Sequence, residues 1–236
     1  QSAIQRYLQD TMRDAPFLLK NLLLVVAGTA WTPDNNNVAR IYQYDGTEIG
    51  KQYKLENYSR FKIAQKPMIE KLTSQHREST IIDIAGIGRI MIGICRDITN
   101  RGFIVKACEV FKPQLLLVPA WSPSIQKGFL PQLRSITETN CRTCSIMCNC
   151  CEALNTLPTF KCRLGIVTYP YKPESCILGN EFNLVRSPDE CSQYCRAGGC
   201  LYLLKLSFHF QAVAQGKIVE EFRQIFVNKT IVIPEK

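Results

Sequence analysis

Cys95 closes an apolar run, Ile90-Met91-Ile92-Gly93-Ile94, and Arg96 and Asp97 follow it at once. A cysteine where a strand turns into a helix can present its sulfur to an electrophilic carbon. The thiolate is the attacking form, and an ordinary thiol is mostly protonated at neutral pH, so a cation or base must stand beside it. The first amides of the following helix would stabilise the thiolate and an oxyanion on the attacked carbon. The backbone N–H of Arg96 is the natural oxyanion donor. The competing reading is a buried structural thiol, one of twelve cysteines in the chain. Arg96 and Asp97 read as a salt bridge or a helix cap at the turn.

The elements around this stretch follow from periodicity and turn residues. Residues 3 to 14 carry apolar side chains at helical spacing. "NLLLVVAGTAW" reads as a buried strand and "TPDNNN" as a loop. Asp45-Gly46 is a turn signal between two strand-like runs in "VARIYQYDGTEIGKQYKL", which predicts a hairpin. A short helix is expected over Met68 to Thr73. "STIIDIAGIGRIMIGICRD" predicts a second hairpin with Gly86 near its turn, and "ITNRGFIVKACEVFKP" a helix. "QLLLVPAW" is a continuous apolar strand of the kind found in a sheet covered on both faces. A helix in "FLPQLRSITETN" and strands in "RTCSIMCNCCEAL" and "GCLYLLKLSFHF" complete the series, with a polar–apolar segment, "GKIVEEFRQIF", after them. Alternating strands and helices indicate an α/β layered fold, and the absence of a linker or repeat indicates one domain over residues 1–236.

Three segments together resemble the nitrilase, or carbon–nitrogen hydrolase, superfamily. "YDGTEIGKQYKLENY" is similar to the family's hairpin ending in a catalytic lysine, which places Lys54 in that role. "GRIMIGICRDITN" resembles the strand and elbow that carry the nucleophile, here Cys95, and "PQLLLVPAWSPS" the strand that follows the elbow helix. Weaker similarity runs through "SIMCNCCEAL", with Asn149 at a position often held by asparagine, and through "GGCLYLLKLSF". The resemblance implies an α-β-β-α sandwich and a Glu-Lys-Cys triad acting on an amide or nitrile carbon through a thioester-type intermediate. No metal and no cofactor are expected. Trp121 and Asn149 are the implied pocket residues. A second glutamate often orients the lysine, with Glu70 the better-spaced candidate and Glu78 the alternative. The family's general base should precede the "LLLVVAG" strand by some tens of residues, and Asp10 and Asp14 do not resemble its loop. The expectation is therefore a domain lacking its first strand and helix, incomplete at the N-terminus, with residues 141–200 a Cys-rich divergent part.

Composition narrows the classes. Twenty-nine basic against twenty acidic residues give a formal charge of +9, but no basic run of five or more exists. Direct nucleic-acid binding is not expected. The longest apolar run near the start is interrupted by Lys20 and Asn21, so no membrane span is expected. Without a signal-peptide core, the twelve cysteines read as reduced thiols of a cytoplasmic protein. The cluster from Cys141 to Cys151 reads as core packing and surface thiols, with a metal site or disulfides as the alternatives, because a strand face does not wrap a tetrahedral metal. His76 and His209, the only histidines, lack a protease-like signature. Three functions compete: hydrolysis of a carbon–nitrogen bond in a small amide or nitrile, a catalytically incomplete scaffold, and a metal-binding protein. The scaffold would serve within a larger protein, by analogy one fused to a defence-type reverse transcriptase. A homodimer is the other expected association.

Overall fold

The computed structural model describes residues 3–18, 22–57, 61–63, 66–68, 70–73, 78–85, 87–122, 128–138, 143–149, 163–169, 181–185, 199–213 and 217–233. The class is mixed α/β, with two main sheets. Helix α1, Ala3–Asp14, precedes a three-stranded antiparallel meander of β1 (Leu24–Trp31), β2 (Asn37–Gln43) and β3 (Glu48–Tyr53). The Asp45-Gly46 signal works as read: Gly46 has φ +82° and the Asp45 carboxylate accepts the Thr47 N–H at 2.9 Å. A Cβ on Gly46 would come within 2.8 Å of Gln9, so α1 lies against this turn. Leu8 of the helix is buried with Ala27 of β1 and Tyr42 of β2.

After a two-stranded ribbon, β4 (Phe61–Ile63) with β5 (Lys66–Met68), the chain enters a six-stranded sheet. Its members are β6 (Ile81–Ile84), β7 (Gly88–Ile92), β8 (Leu115–Ala120), β9 (Cys144–Asn149), β10 (Arg163–Thr168) and β11 (Glu181–Val185), ordered β11-β10-β9-β8-β7-β6. The central strands β7, β8 and β9 run parallel and the rest antiparallel. Parallel neighbours require crossovers. The first runs through a 3₁₀ turn at Cys95–Thr99, a π turn at Arg101–Val105 and helix α2, Lys106–Phe111. The second contains helix α3, Leu130–Glu138. Two long antiparallel strands, β12 (Gly199–Val213) and β13 (Lys217–Ile233), pair with each other.

The core joins the two sheets. Ala39 and Ile41 of β2 belong to one buried cluster with Met91 and Ile92 of β7, Leu116 and Val118 of β8 and Met147 of β9. Ile98, Ile104, Cys108, Leu133 and Ile136 add the crossover helices to it. Consecutive residues Met91 and Ile92 are both fully buried, which is the mark of a strand covered on both faces. Among the described residues no helix is long and apolar enough to cross a membrane.

Two sequence expectations are corrected. Among the described residues from Met68 to Thr73 no helix forms: Met68 ends β5 and residues 70–73 are irregular. Pro67 disfavours helix in the residue before it, and Leu72 donates its N–H to Asn57 rather than into a helical turn. Strands β10 and β11 were not anticipated in the Cys-rich part. The turn of the second hairpin forms as expected between β6 and β7, although Gly86 itself lies outside the described residues.

Gly88 opens β7 at φ +101°, and a Cβ there would sit 2.7 Å from the Gln114 side chain, whose Oε1 accepts the Arg89 N–H. Gly88→Ala is expected to destabilise the protein by about 1–3 kcal/mol. Gly28→Ala, with nothing within 4 Å of the added carbon, should stay within about 0.5 kcal/mol of wild type. Urea midpoints that fail to separate the two variants would contradict this account.

Candidate active site

The carboxyl ends of the parallel strands meet at one place, as ligand sites in open α/β sheets commonly do. Beyond β7, Gly93 still pairs with β8 through its N–H to the Leu117 carbonyl at 3.0 Å. Two residues later the chain leaves the sheet at Cys95, whose φ is +51°. Left-handed backbone at a residue with a Cβ costs of order 1–3 kcal/mol and persists only where the surroundings impose it. Cys95 is 6% exposed, and its Sγ lies 3.9 Å from the Trp121 carbonyl oxygen. Burial pushes the thiol pKa up, while the Lys54 cation and the Arg96 amide pull it down and the Glu70 carboxylate adds to the rise. The resting sulfur is therefore a thiol under the influence of one buried ion pair.

That pair is Lys54 with Glu70. The Lys54 amine donates to the Glu70 carboxylate, with side chains only 4% and 9% exposed. Lys54 follows β3, and its backbone N–H extends the β2–β3 ladder by donating to the Asn37 carbonyl at 2.8 Å. The Asn37 side-chain amide donates to the other Glu70 oxygen at 3.3 Å. Asn37 thus holds both members of the pair, a role its place in an Asn-rich loop did not suggest. Glu78 sits on the surface, and its backbone carbonyl receives the Gln52 amide.

Asp97 is the second buried carboxylate, and its ties extend beyond a cap. One oxygen accepts the Ile94 N–H at 3.0 Å, which caps the 3₁₀ turn. The other accepts the N–H groups of Leu55 and Glu56 at 2.9 and 2.8 Å, across in the segment after Lys54. The Asn100 side-chain amide also donates to the Glu56 carboxylate. Burial raises the Asp97 pKa to about 6 against the pull of these three N–H groups and the Lys54 cation.

At the ends of β8 and β9 the Asn149 side chain grips Ser122 in both directions. Its oxygen accepts the Ser122 N–H at 2.9 Å and its amide donates to the Ser122 carbonyl at 2.8 Å. Asn149 therefore fixes the backbone next to Trp121, itself 39% exposed at the rim. The structure brings Cys95, Lys54, Glu70 and the Arg96 amide together, with Trp121 beside the sulfur. Asp10 and Asp14 instead meet Arg13 on the surface of α1. Of the cysteines, Cys108 and Cys144 are buried in the core and Cys148 is exposed. Among the described residues no group of three or more His, Cys, Asp or Glu is placed to hold a metal ion. His76 and most of the cysteines between 141 and 200 lie outside the described residues.

Removing one partner of a buried ion pair strands the other, so Glu70→Ala is expected to cost about 3–5 kcal/mol, and the double change Lys54→Met with Glu70→Leu to recover most of it. Urea unfolding of the three variants checks this. Asp97 gives a pH signature. Its folded pKa of about 6 lies above the ordinary 3.8, so its contribution to stability is full at acid pH and is lost as pH rises through about 6. The stability of wild type relative to Asp97→Asn should fall by about 2–3 kcal/mol between about pH 4 and pH 7. A difference that stays flat over that range would refute it.

No protein-family model matches the chain, and no curated protein sequence does. Solved structures do match. An amidase from Nesterenkonia sp. superposes with a TM-score of 0.51 at 15% identity, over 71% of this chain and 57% of its own. The NitN amidase from Nesterenkonia sp. AN1 gives a TM-score of 0.50 at 15% identity, over 71% and 59%. The chain spans less than two thirds of the length of these amidases. At this identity the likeness is one of fold. The described chain has a nitrilase-like fold, over part of the length of the amidases it matches.

Proposed function

We propose that this chain carries the nucleophile of a carbon–nitrogen hydrolase acting on small amides or nitriles. The observation that carries the reading is the placement of Cys95, in strained backbone at the end of a parallel strand and within the field of the buried Lys54–Glu70 pair. On an amide, Sγ adds to the carbonyl carbon as its proton passes to a base. The C–N bond then breaks, the nitrogen leaves protonated as ammonia or an amine, and a thioester remains. Water attacks the thioester, releasing the acid and restoring the thiol. On a nitrile, the same addition gives a thioimidate; water adds to its carbon, ammonia leaves, and the same thioester remains for a second water to hydrolyse. Lys54 and the Arg96 amide stabilise the oxyanion, and Glu70 orients Lys54. The general base is a further carboxylate, which we assign to none of the described residues.

A second reading is favoured by one observation. Burial holds the Cys95 thiol up, and Glu70 is engaged by Lys54 and Asn37. Without a base the same group of residues would bind an amide without turnover.

Iodoacetamide labelling followed by peptide mass spectrometry, together with ammonia release from short aliphatic amides, separates these readings. Hydrolysis predicts selective labelling of Cys95 and ammonia release that Cys95→Ala abolishes and Lys54→Met lowers by about 10²–10³-fold. Selective labelling without ammonia release supports the binding module. Equal labelling of many cysteines, unchanged by Cys95→Ala, removes the nucleophile.

A further inference from the structure

We infer that Asp97 is the positioning residue of the Cys95–Lys54 pair: its carboxylate clasps the segment after the lysine to the turn that carries the thiol, and so sets how closely ammonium and sulfur approach. The inference rests on the reading of Cys95 as nucleophile.

A cap for the 3₁₀ turn needs one bond, and the Ile94 N–H supplies it at 3.0 Å. The other two bonds of Asp97 leave the turn altogether. They reach Leu55 and Glu56, the two residues after Lys54, at 2.9 and 2.8 Å. Each end of the clasp is thus covalently adjacent to a reacting residue: Ile94 to Cys95, and Leu55 to Lys54. A carboxylate suits this task because it is acceptor-only and can serve three N–H groups that point inward from two segments. Asn100 adds a parallel tie by donating to the Glu56 carboxylate. On its other side Lys54 is anchored by its N–H to Asn37. The lysine backbone is therefore held from β2 at one end and from the elbow at the other. Asp97 is 0% exposed, so neither of its oxygens is shared with bulk water.

The sign of one measurement distinguishes positioning from simple electrostatics. Deleting an anion near a thiol, with nothing else moving, favours the thiolate and lowers its pKa. Displacing the Lys54 cation does the opposite, since that cation pulls the Cys95 thiol down. The charged groups that act on the sulfur are Lys54 and Glu70, with the Arg96 backbone amide beside it and Asp97 two residues further along the turn.

The experiment follows iodoacetamide labelling of the Cys95 peptide against pH, in the full chain, for Asp97→Ala, Asp97→Asn and Asn100→Ala. Each change is also made in a Lys54→Met, Glu70→Gln background, where no ammonium remains to be positioned. Asp97→Ala is expected to raise the labelling midpoint by about one pH unit, roughly tenfold slower labelling at neutral pH. Asn100→Ala should raise it by less, and neither change should raise it in the lysine-free background. A midpoint that falls, stays put, or rises equally in both backgrounds overturns the inference. Should Asp97→Ala not fold, Asp97→Asn and Asn100→Ala decide by the same criterion. Cys95 labelling no faster than the other cysteines in wild type would instead sink the nucleophile reading, while the midpoint comparison still reports on the clasp.

Discussion

The site depends on keeping two buried carboxylates and one buried ammonium in register. Removing a charge from water carries a penalty of several kcal/mol, offset only by close partners and by hydrogen bonds to the remaining lone pairs. Lys54 and Glu70 meet that condition through each other and through Asn37. The requirement spreads outward from there. Glu70 lies in an irregular segment, and that segment must stay docked on the β1–β2 loop for the pair to form. The Thr73 hydroxyl on the Asp34 carbonyl and the Asn57 side chain on the Leu72 N–H keep it there. The segment leading into β6 is held by Gln52, fully buried, which accepts from Thr80 and donates to Glu78.

Asp97 shows the cost of such an arrangement most directly. Three N–H groups and a nearby cation do not return it to an ordinary carboxylate, because burial dominates. The fold carries that penalty at neutral pH and in exchange joins two segments that no strand pairing connects. The left-handed backbone at Cys95 is a second local cost in the same few residues. Unfavourable terms concentrated at one site, and imposed by well-packed surroundings, are the usual mark of a functional position. Around them, Ile94, Ile98 and Ile104 are buried to within 1% of full exclusion, so the elbow has little room to relax.

The cysteine content takes on a plain meaning in this light. Cys108 and Cys144 are small apolar side chains in a core that also contains Cys95. What distinguishes Cys95 from them is its left-handed backbone, which composition cannot register.

Much of the framework was legible from sequence by itself. The apolar runs of β7 and β8, the Asp45-Gly46 turn and the helical spacing of α1 are local properties, written in two-residue and near four-residue periods, and each formed where it was read. The order of hairpin, lysine, strand and cysteine was likewise local enough to suggest the fold. Partnership was not. Spacing favoured Glu70 over Glu78, but its contact with Lys54 rests on where an irregular segment docks, and the Pro67 region was misread as helix because its conformation is set by ties to Asn57 and Asp34. Asn37 looked like a loop residue until β2 and β3 placed it over Lys54. Asp97 looked like a cap until the fold brought Leu55 and Glu56 to its second oxygen. Local sequence determines period and turn; which buried charge meets which amide is settled only when segments far apart in the chain are packed together, since only there does burial make each such contact obligatory.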